Sequence, residues 1–213
     1  MRPEVKVCGV NDAEFAASAA RAGVDYLGFI FEPTSPRAVT VDKAIECGKR
    51  LGDAASCRVR RVGVFVKQTA AEIVETMRMA RLDVVQLHRR ATEEDVAALR
   101  TAGFEVWTLA GGAPGDGVLF DSSHGDGERG FRKGPYKAIL AGGIGEANVA
   151  EALRLGPDVI DVNSSLETSP GVKSAALLTR FLSALGHATP SGSSGWWETF
   201  ISDVVPCAAH KKS

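Results

Sequence analysis

The chain has 213 residues, of which 45% are hydrophobic, and its 25 basic and 26 acidic side chains give a formal net charge of −1 at pH 7. This length and composition provide for the core of one large domain or two small ones, and the balanced charge excludes an overall field that would attract nucleic acid or an acidic membrane. No apolar run has the length of a membrane-spanning helix and no signal-peptide pattern is present, so we expect a cytoplasmic protein with reduced thiols and no membrane partner.

Short β-rich segments alternate with helical patterns along most of the chain. Several of these segments are nearly continuous apolar runs, which is typical of parallel strands covered on both faces. In chain order, the eight predicted strands are 4–8, 25–31, 61–66, 83–88, 105–110, 117–121, 136–141 and 158–162.

The segments between these strands carry helix-start signals. Asn11 is the predicted N-cap of the first helix. Thr69 and Glu72 form a predicted capping box before the helix after strand three. Thr92 and Asp95 form a weaker version of the same signal before the next helix.

Eight strands alternating with helices in one chain of this size predict an α/β fold, a (β/α)8 barrel, with a doubly wound open sheet as the alternative.

One crossover does not fit the regular pattern. Only GGAPGD, residues 111–116, separates strands five and six. A parallel crossover normally takes a dozen or more residues, usually a helix, so we expect the barrel to lack the helix after strand five. Residues 122–135, after strand six, are also poor in helix signals.

The C-terminal segment differs from the rest of the chain. SGSSG, residues 191–195, reads as a flexible linker. A cluster of apolar residues that includes Trp196, Trp197 and Phe200 follows it. We therefore predict a barrel domain over residues 1–186 and a linker with an apolar tail over residues 187–213, which is either an appended element or derived from expression.

In a barrel of this kind, the functional site lies at the C-terminal ends of the strands. Two loops there are candidates for holding a phosphate, because glycines let the backbone approach an anion and serine hydroxyls add donors. The first contains Gly142 and Gly143 after strand seven, and the second contains Ser164 and Ser165 after strand eight. The strand-end rule also selects Cys8, Glu32, His88, Asp121 and Asp161.

Cys8 and Asp121 form a candidate base and acid pair. A lone strand cysteine is more often an inert core residue, and Asp121 could simply cap a loop. Strands one and six lie well apart around the ring, so the two side chains could face a ligand between them. Lys6 lies lower on the face of Cys8, and the sequence does not identify it as the positive partner that would favour a thiolate. No two cysteines form a C-x-x-C pair, and their spacing along the chain does not match a zinc site.

Seven segments taken together resemble one family. They are VKVCGVND, AGVDYLGFIFEPTSPRAVT, RVGVFV, VVQLH, FD at strand six, LAGGIGEANVAEAL and DVNSSLETSPGVKS. In this order, over about residues 4–185, they are similar to phosphoribosylanthranilate isomerase, the barrel enzyme of tryptophan biosynthesis.

The resemblance implies an Amadori rearrangement of a phosphosugar substrate, N-(5-phosphoribosyl)anthranilate, without cofactor or metal. It makes Cys8 the general base and Asp121 the general acid. The remaining implied roles are substrate binding by Arg37, Gln86, His88 and Asp161, and phosphate binding by Gly142, Gly143, Ser164 and Ser165.

The sequence also departs from the family pattern. Arg89 follows V-Q-L-H where a glycine is usual, GDGERG stands where the family has G-G-T-G, and DVNSS replaces D-V-S-S-G. Two alternatives stay open: a related phosphosugar barrel enzyme, such as indoleglycerol-phosphate synthase or the histidine-pathway isomerase, and a non-catalytic barrel that binds a phosphate ligand. The sequence sets no oligomeric state.

Overall fold

The computed structural model of the protein describes residues 2–51, 59–122 and 130–188. Eight parallel strands close into a barrel in sequential order, so the predicted barrel is confirmed. Its strands are β1 (Glu4–Val7), β2 (Tyr26–Ile30), β3 (Arg60–Phe65), β4 (Val84–Leu87), β5 (Glu105–Leu109), β6 (Gly117–Asp121), β7 (Lys137–Ala141) and β8 (Val159–Val162).

Helices pack around the outside of the barrel. Within the described ranges they are α1 (Ala13–Arg21), α2 (Val41–Arg50), α3 (Ala70–Ala80), α4 (Glu93–Thr101), α5 (Val149–Arg154) and α6 (Ala175–Ala188). None of them is long and apolar enough to cross a membrane. The predicted tail lies outside the described residues beyond position 188.

The helix starts follow the capping signals with one exception. Both capping boxes, Thr69 with Glu72 and Thr92 with Asp95, form as predicted. The prediction of Asn11 as the first N-cap was wrong. Asp12 is the cap, because its extended backbone brings Oδ1 to 2.7 Å from the amide nitrogen of Phe15.

Alternation along each strand divides the core into two layers. One set of side chains packs between the strands and the helices. The other points into the barrel, where Tyr26 and Trp107 meet edge to face at 4.8 Å between ring centroids. The inward positions near the strands' C-terminal ends include Cys8, Gln86 and Asp161. The alternation that buries the barrel's interior therefore also aims polar side chains at its mouth.

The short connection between β5 and β6 contains no helix, as predicted. It turns at residues 110–112 and runs back along β5, so that Asp116 lies beside the start of that strand. Its amide donates to the carbonyl of Val106 at 2.6 Å, and its Oδ2 accepts from the Val106 amide at 2.8 Å. An extended chain covers about 3.3 Å per residue, so a few residues can retrace a short strand where a helix of the same length could not.

A small hairpin follows β8. After a 3₁₀ turn at Ser164–Leu166, the strands β9 (Glu167–Ser169) and β10 (Val172–Lys173) pair in antiparallel fashion. Gly171, at φ +84°, packs against the carbonyl of Pro36 in the loop after β2. The hairpin thereby joins the loops after β8 and β2, which lie on either side of β1 at the barrel mouth.

We expect Gly115→Ala to lower the free energy of unfolding by about 1–3 kcal/mol, because a Cβ there would collide with the Val106 carbonyl, to which the connection is bonded. Gly48→Ala is the control, since Gly48 lies in α2 and the added methyl would meet only the far end of the Arg61 side chain from β3. Urea unfolding of both variants measures the difference. Equal stabilities would show that the β5–β6 connection has no such close contact.

Candidate active site

A cavity of about 350 Å³ opens at the C-terminal end of the barrel. Nine of the ten residues assigned to a site from the sequence line it: Cys8, Arg37, Gln86, His88, Asp121, Gly142, Gly143, Asp161 and Ser164. Ser165 is not among the lining residues, and its hydroxyl donates to the carbonyl of Ile144 at 2.5 Å. Residues at the C-terminal ends of different strands are thus brought together around one cavity, as expected for a barrel of this kind.

Cys8 directly follows β1 and is buried. Its amide donates to the carbonyl of Val162 at 2.8 Å, which continues the pairing of β1 with β8. At Gly9 the backbone turns away with φ +69°, and a Cβ there would lie 2.8 Å from Cδ of Arg37. Glycine is therefore needed at this position by the backbone conformation and by the close approach of Arg37.

Lys6 lies two residues before Cys8, deeper in the barrel. Its place beside the thiol was not predicted from the sequence. Lys6 and Asp161 are registered neighbours on β1 and β8, and Nζ lies 2.6 Å from Oδ2. The Lys6 side chain and the Cys8 sulfur lie close together over β2, since a Cβ added at Gly28 would be 3.1 Å from both Lys6 Cε and Cys8 Sγ. Three titratable side chains thus form one buried cluster under the cavity.

Burial and charge oppose each other in this cluster. Burial raises the pKa of the Cys8 thiol, and the charge of Lys6 acts against that rise. Burial likewise raises the pKa of Asp161 against the effect of Lys6. For Lys6, burial acts to lower the pKa, but Asp161 and Cys8 outweigh it and the pKa is raised. Lys6 therefore stays protonated at neutral pH.

Asp121 ends β6 and is buried at the cavity wall. Going round the closed barrel, β7 and β8 separate it from β1 on one side and four strands do so on the other. Gly142 has φ +94°, and a Cβ there would collide with Ser122 and come within 2.7 Å of Asp121 Oδ1. The glycine after β7 thus makes room for the carboxylate at the end of β6.

Arg37 is held by the hairpin after β8. Its Nε and Nη2 donate to the two carboxylate oxygens of Glu167 at 2.8 and 2.7 Å. Lys173 donates to Glu167 Oε1 and to Asn163 Oδ1, both at 2.7 Å. Nη1 of Arg37 makes no hydrogen bond to another described residue. Glu167 and Lys173 were not predicted as site residues from the sequence.

The only sequence feature that pointed to them was a pair of charged residues in a turn-rich segment just after the C-terminal end of β8.

Three buried acceptor oxygens have no hydrogen-bond partner among the described residues: Glu32 Oε2, Gln86 Oε1 and Asp161 Oδ1. All three side chains line the cavity. A buried acceptor without a donor is costly, by about 1–3 kcal/mol. The cavity is therefore suited to a ligand that carries several hydroxyl or N–H donors. Glu32 was selected by its position at a strand end but was assigned no role from the sequence.

The loop after β7 is shaped for close approach of a ligand. Gly142 and Gly143 both have positive φ, and a Cβ on Gly143 would meet nothing within 4 Å. Asn148 fixes the loop by accepting from the Gly145 amide at 2.8 Å and donating to the Gly143 carbonyl at 3.1 Å. The backbone amides of Gly143 and Ser164 donate to no other described residue, which leaves two donors on the cavity wall.

Arg89, which departs from the family pattern, does not line the cavity. It forms a bidentate pair with Asp95 at 2.6 and 2.8 Å, at the start of α4. This substitution therefore adds a local ion pair and leaves the charge of the cavity unchanged.

The Glu167 carboxylate gives a pH prediction. Burial would raise its pKa, but hydrogen bonds from Arg37 and Lys173 lower it from 4.5 to about 2. A depressed carboxyl pKa stabilises the fold above the unfolded value, and this stabilisation is lost as pH falls through the folded value. We expect the difference in free energy of unfolding between wild type and Glu167→Gln to shrink as pH falls from about 4.5 towards 2. Urea unfolding at a series of pH values measures it.

Glu14→Gln is the control for this measurement. Glu14 makes a similar bidentate pair with Arg50 on the exposed surface, where such pairs contribute little. We expect a smaller difference from wild type at every pH. A Glu167→Gln difference that stays constant down to low pH would contradict the assignment.

Comparison with known proteins gives a consistent result. The family model described as N-(5'phosphoribosyl)anthranilate (PRA) isomerase matches residues 5–184. The N-(5'-phosphoribosyl)anthranilate isomerase of Granulibacter bethesdensis is 33% identical, over 88% of this chain and 100% of that one. That of Paramagnetospirillum magneticum is 34% identical, over 89% and 100%. The crystal structure of phosphoribosyl anthranilate isomerase from Thermus thermophilus is similar with a TM-score of 0.75 and 32% identity, over 89% of this chain and 100% of that one.

Proposed function

The chain belongs to the N-(5'-phosphoribosyl)anthranilate isomerase family, and we propose that Cys8 and Asp121 carry out the proton transfers of its reaction. That reaction converts N-(5-phosphoribosyl)anthranilate into 1-(2-carboxyphenylamino)-1-deoxyribulose 5-phosphate, a step of tryptophan biosynthesis. An acid must protonate the furanose ring oxygen as the ring opens to an imine. A base must then remove the proton on C2, which gives an enolamine that ketonises.

Cys8 is the base in this proposal. The thiolate takes the C2 proton, and the electron pair of that C–H bond moves towards the imine. The position of Cys8 at the cavity wall and its contact with Lys6 support the role, since a nearby cation favours a thiolate.

Asp121 is the acid. It stands at the end of β6, three strand positions from β1 by the shorter way round the barrel, so a ligand in the cavity has the two groups on different sides. Because Gly142 leaves space beside the carboxyl, Asp121 can reach the ring oxygen without obstruction from the loop after β7.

The other lining residues account for the remaining parts of the substrate. Arg37 has a free Nη1 edge for the anthranilate carboxylate, because Glu167 occupies its other edge. The partnerless oxygens of Gln86 and Asp161 would accept from ribose hydroxyls or the anilino N–H. His88 completes this wall.

The phosphate would lie between the loops after β7 and β8. Gly142 and Gly143 allow close approach of the anion, and the amides of Gly143 and Ser164 supply donors. Ser165 contributes through its backbone and by fixing Ile144, since its hydroxyl is already engaged.

The observation that carries the proposal is that one cavity holds Cys8, Asp121, Arg37 and the two phosphate-loop candidates together. Loss of the fluorescence of phosphoribosylanthranilate in a coupled assay tests it directly. Turnover separates this function from a barrel that only binds a phosphate ligand. A second assay with other phosphosugar substrates separates it from related enzymes.

We expect Cys8→Ser and Asp121→Asn each to lower kcat by about 10²–10⁴-fold with a modest effect on KM, because each removes one proton-transfer group and no binding group. Steady-state kinetics measure both. Cys47→Ser is the matched control: Cys47 is buried in α2 away from the cavity, and burial raises the pKa of its thiol to about 11. A Cys8→Ala enzyme with near-normal kcat would refute the base assignment.

We expect Gly143→Leu to raise KM at least about tenfold, because the new side chain would project into space that the phosphate needs. Gly156→Leu is the control. Gly156 has nearly the same backbone conformation, φ +68° against +67°, but is not a lining residue of the cavity. Both variants should lose similar stability in thermal unfolding, so only the effect on KM distinguishes them. Equal KM values would remove the Gly143 loop from the site.

A further inference from the structure

We infer that Lys6 is a positioning residue of the isomerisation, whose ammonium group holds the Cys8 sulfur in place and stabilises it as the thiolate that removes the C2 proton. The inference rests on the proposed role of Cys8 as the base. It goes beyond that role because it assigns the group that makes a buried thiol usable as a base.

The first support is geometric. The side chain of Lys6 is fully buried inside the barrel, and its nitrogen lies 2.6 Å from Asp161 Oδ2. Cys8 stands two residues further along the chain and its side chain also points into the barrel. Gly28 on β2 leaves space for this arrangement. A Cβ at Gly28 would lie 3.1 Å from both Cys8 Sγ and Lys6 Cε. A glycine in the middle of a strand thus allows the two side chains to pack together over β2.

The second support is the distribution of charge around the sulfur. The groups that act on Cys8 are Lys6 on β1, Asp161 on β8, Lys173 on β10 and Arg37 after β2. Asp121 on β6 acts on Asp161. Of the cations, Lys6 has the largest effect on the thiol, whereas Lys173 has a smaller effect and is engaged with Glu167 and Asn163.

The proton balance of the step leaves Lys6 unchanged. Before the transfer, Lys6 is shared by the thiolate and the Asp161 carboxylate. When the sulfur takes the C2 proton, the electrons of the C–H bond form the double bond of the enolamine, and Lys6 keeps its proton and its contact with Asp161. A nearby opposite charge favours the charged form of a thiol and lowers its pKa, so Lys6 increases the fraction of Cys8 that is ready to react.

Removing Lys6 and removing Asp161 should have opposite effects on the pKa of the Cys8 thiol. Lys6 acts to lower the pKa of Cys8 and Asp161 acts to raise it, and the effect of Lys6 is the larger of the two. Lys6→Met should therefore raise the thiol pKa, and Asp161→Asn should lower it. The double variant Lys6→Met/Asp161→Asn removes both charges, leaves no unpaired ion in the barrel, and should still show a raised thiol pKa.

The experiment measures the thiol pKa of Cys8 from the rate of alkylation by iodoacetamide over about pH 6–10, followed on the Cys8 peptide by mass spectrometry. The same proteins are assayed for kcat and KM across pH. We expect the thiol pKa to rise by about one unit or more in Lys6→Met and in the double variant, with kcat reduced about tenfold or more in both. KM should change little in Lys6→Met, which keeps the Asp161 oxygens proposed to bind the substrate. Raising the pH should restore part of the lost kcat.

Lys137→Met is the matched control. Lys137 is a strand lysine paired with Glu4 at 2.8 Å, at the opposite end of the barrel from the cavity. Its loss should change neither the thiol pKa nor kcat. If Lys6→Met does not fold, because Asp161 would be left buried and unpaired, the double variant provides both readouts.

Three results would overturn the inference. The first is an unchanged thiol pKa in the double variant. The second is a shift in the same direction for Lys6→Met and Asp161→Asn, which would indicate a merely loosened structure. The third is a raised pKa with unchanged kcat, which would mean that Cys8 is not the base. The Cys8→Ser kinetics then show whether the proposed function has failed or only the role of Lys6.

Discussion

Beneath the cavity, the ammonium group of Lys6 is removed from water and must share the barrel interior with an anion. Asp161 supplies that anion from the neighbouring strand, at the register position directly beside it. Gly28 on the other neighbouring strand leaves room for the pair, and Cys8 sits against it on the cavity side. Two well-packed apolar side chains could fill the same space with equal or greater stability, so a buried ion pair is weak evidence for a stabilising role. The position of the Lys6–Asp161 pair directly under the Cys8 thiol favours a role in the reaction over a role in stability.

A second charged group organises the rim of the cavity. Glu167 binds Arg37 and Lys173 together, so that the loop after β2 is tied to the hairpin after β8. Asn163 accepts from Lys173 and lies beside Gly9, the residue after Cys8. In the proposed mechanism, Lys6 and Asp161 act on the proton-transfer group, and Glu167 and Lys173 orient Arg37 towards a part of the substrate remote from it.

The structural features that depend on short segments of the chain were predicted correctly from the sequence, with one exception at the first helix. The eight strands, both capping boxes and the missing helix follow from local patterns of a few residues. The strand-end rule selected seven of the nine assigned residues that line the cavity, and the other two, Arg37 and Gln86, came from the family resemblance. The first N-cap was placed one residue early because Asn11 and Asp12 are equally good caps, and only the turn geometry decides between them. The role of Lys6 was missed because strand alternation gives the face of a side chain and not how far a flexible stem extends along it. The contact of Glu167 with Arg37 joins loops that are far apart in the sequence, and no local pattern reports such a contact.

The connection that retraces β5 has a consequence for how the barrel is assembled. Trp107 pairs with Gly117 across β5 and β6, whereas Lys6 pairs with Tyr26 across β1 and β2, at about twice the separation along the chain. Closing a shorter loop costs less conformational entropy, and pairing between segments that are close in sequence is faster. The β5–β6 pairing, which has no helix in its connection, is therefore the more local of these two pairings. The short connection makes β5 and β6 a suitable place for the folding of the barrel to begin.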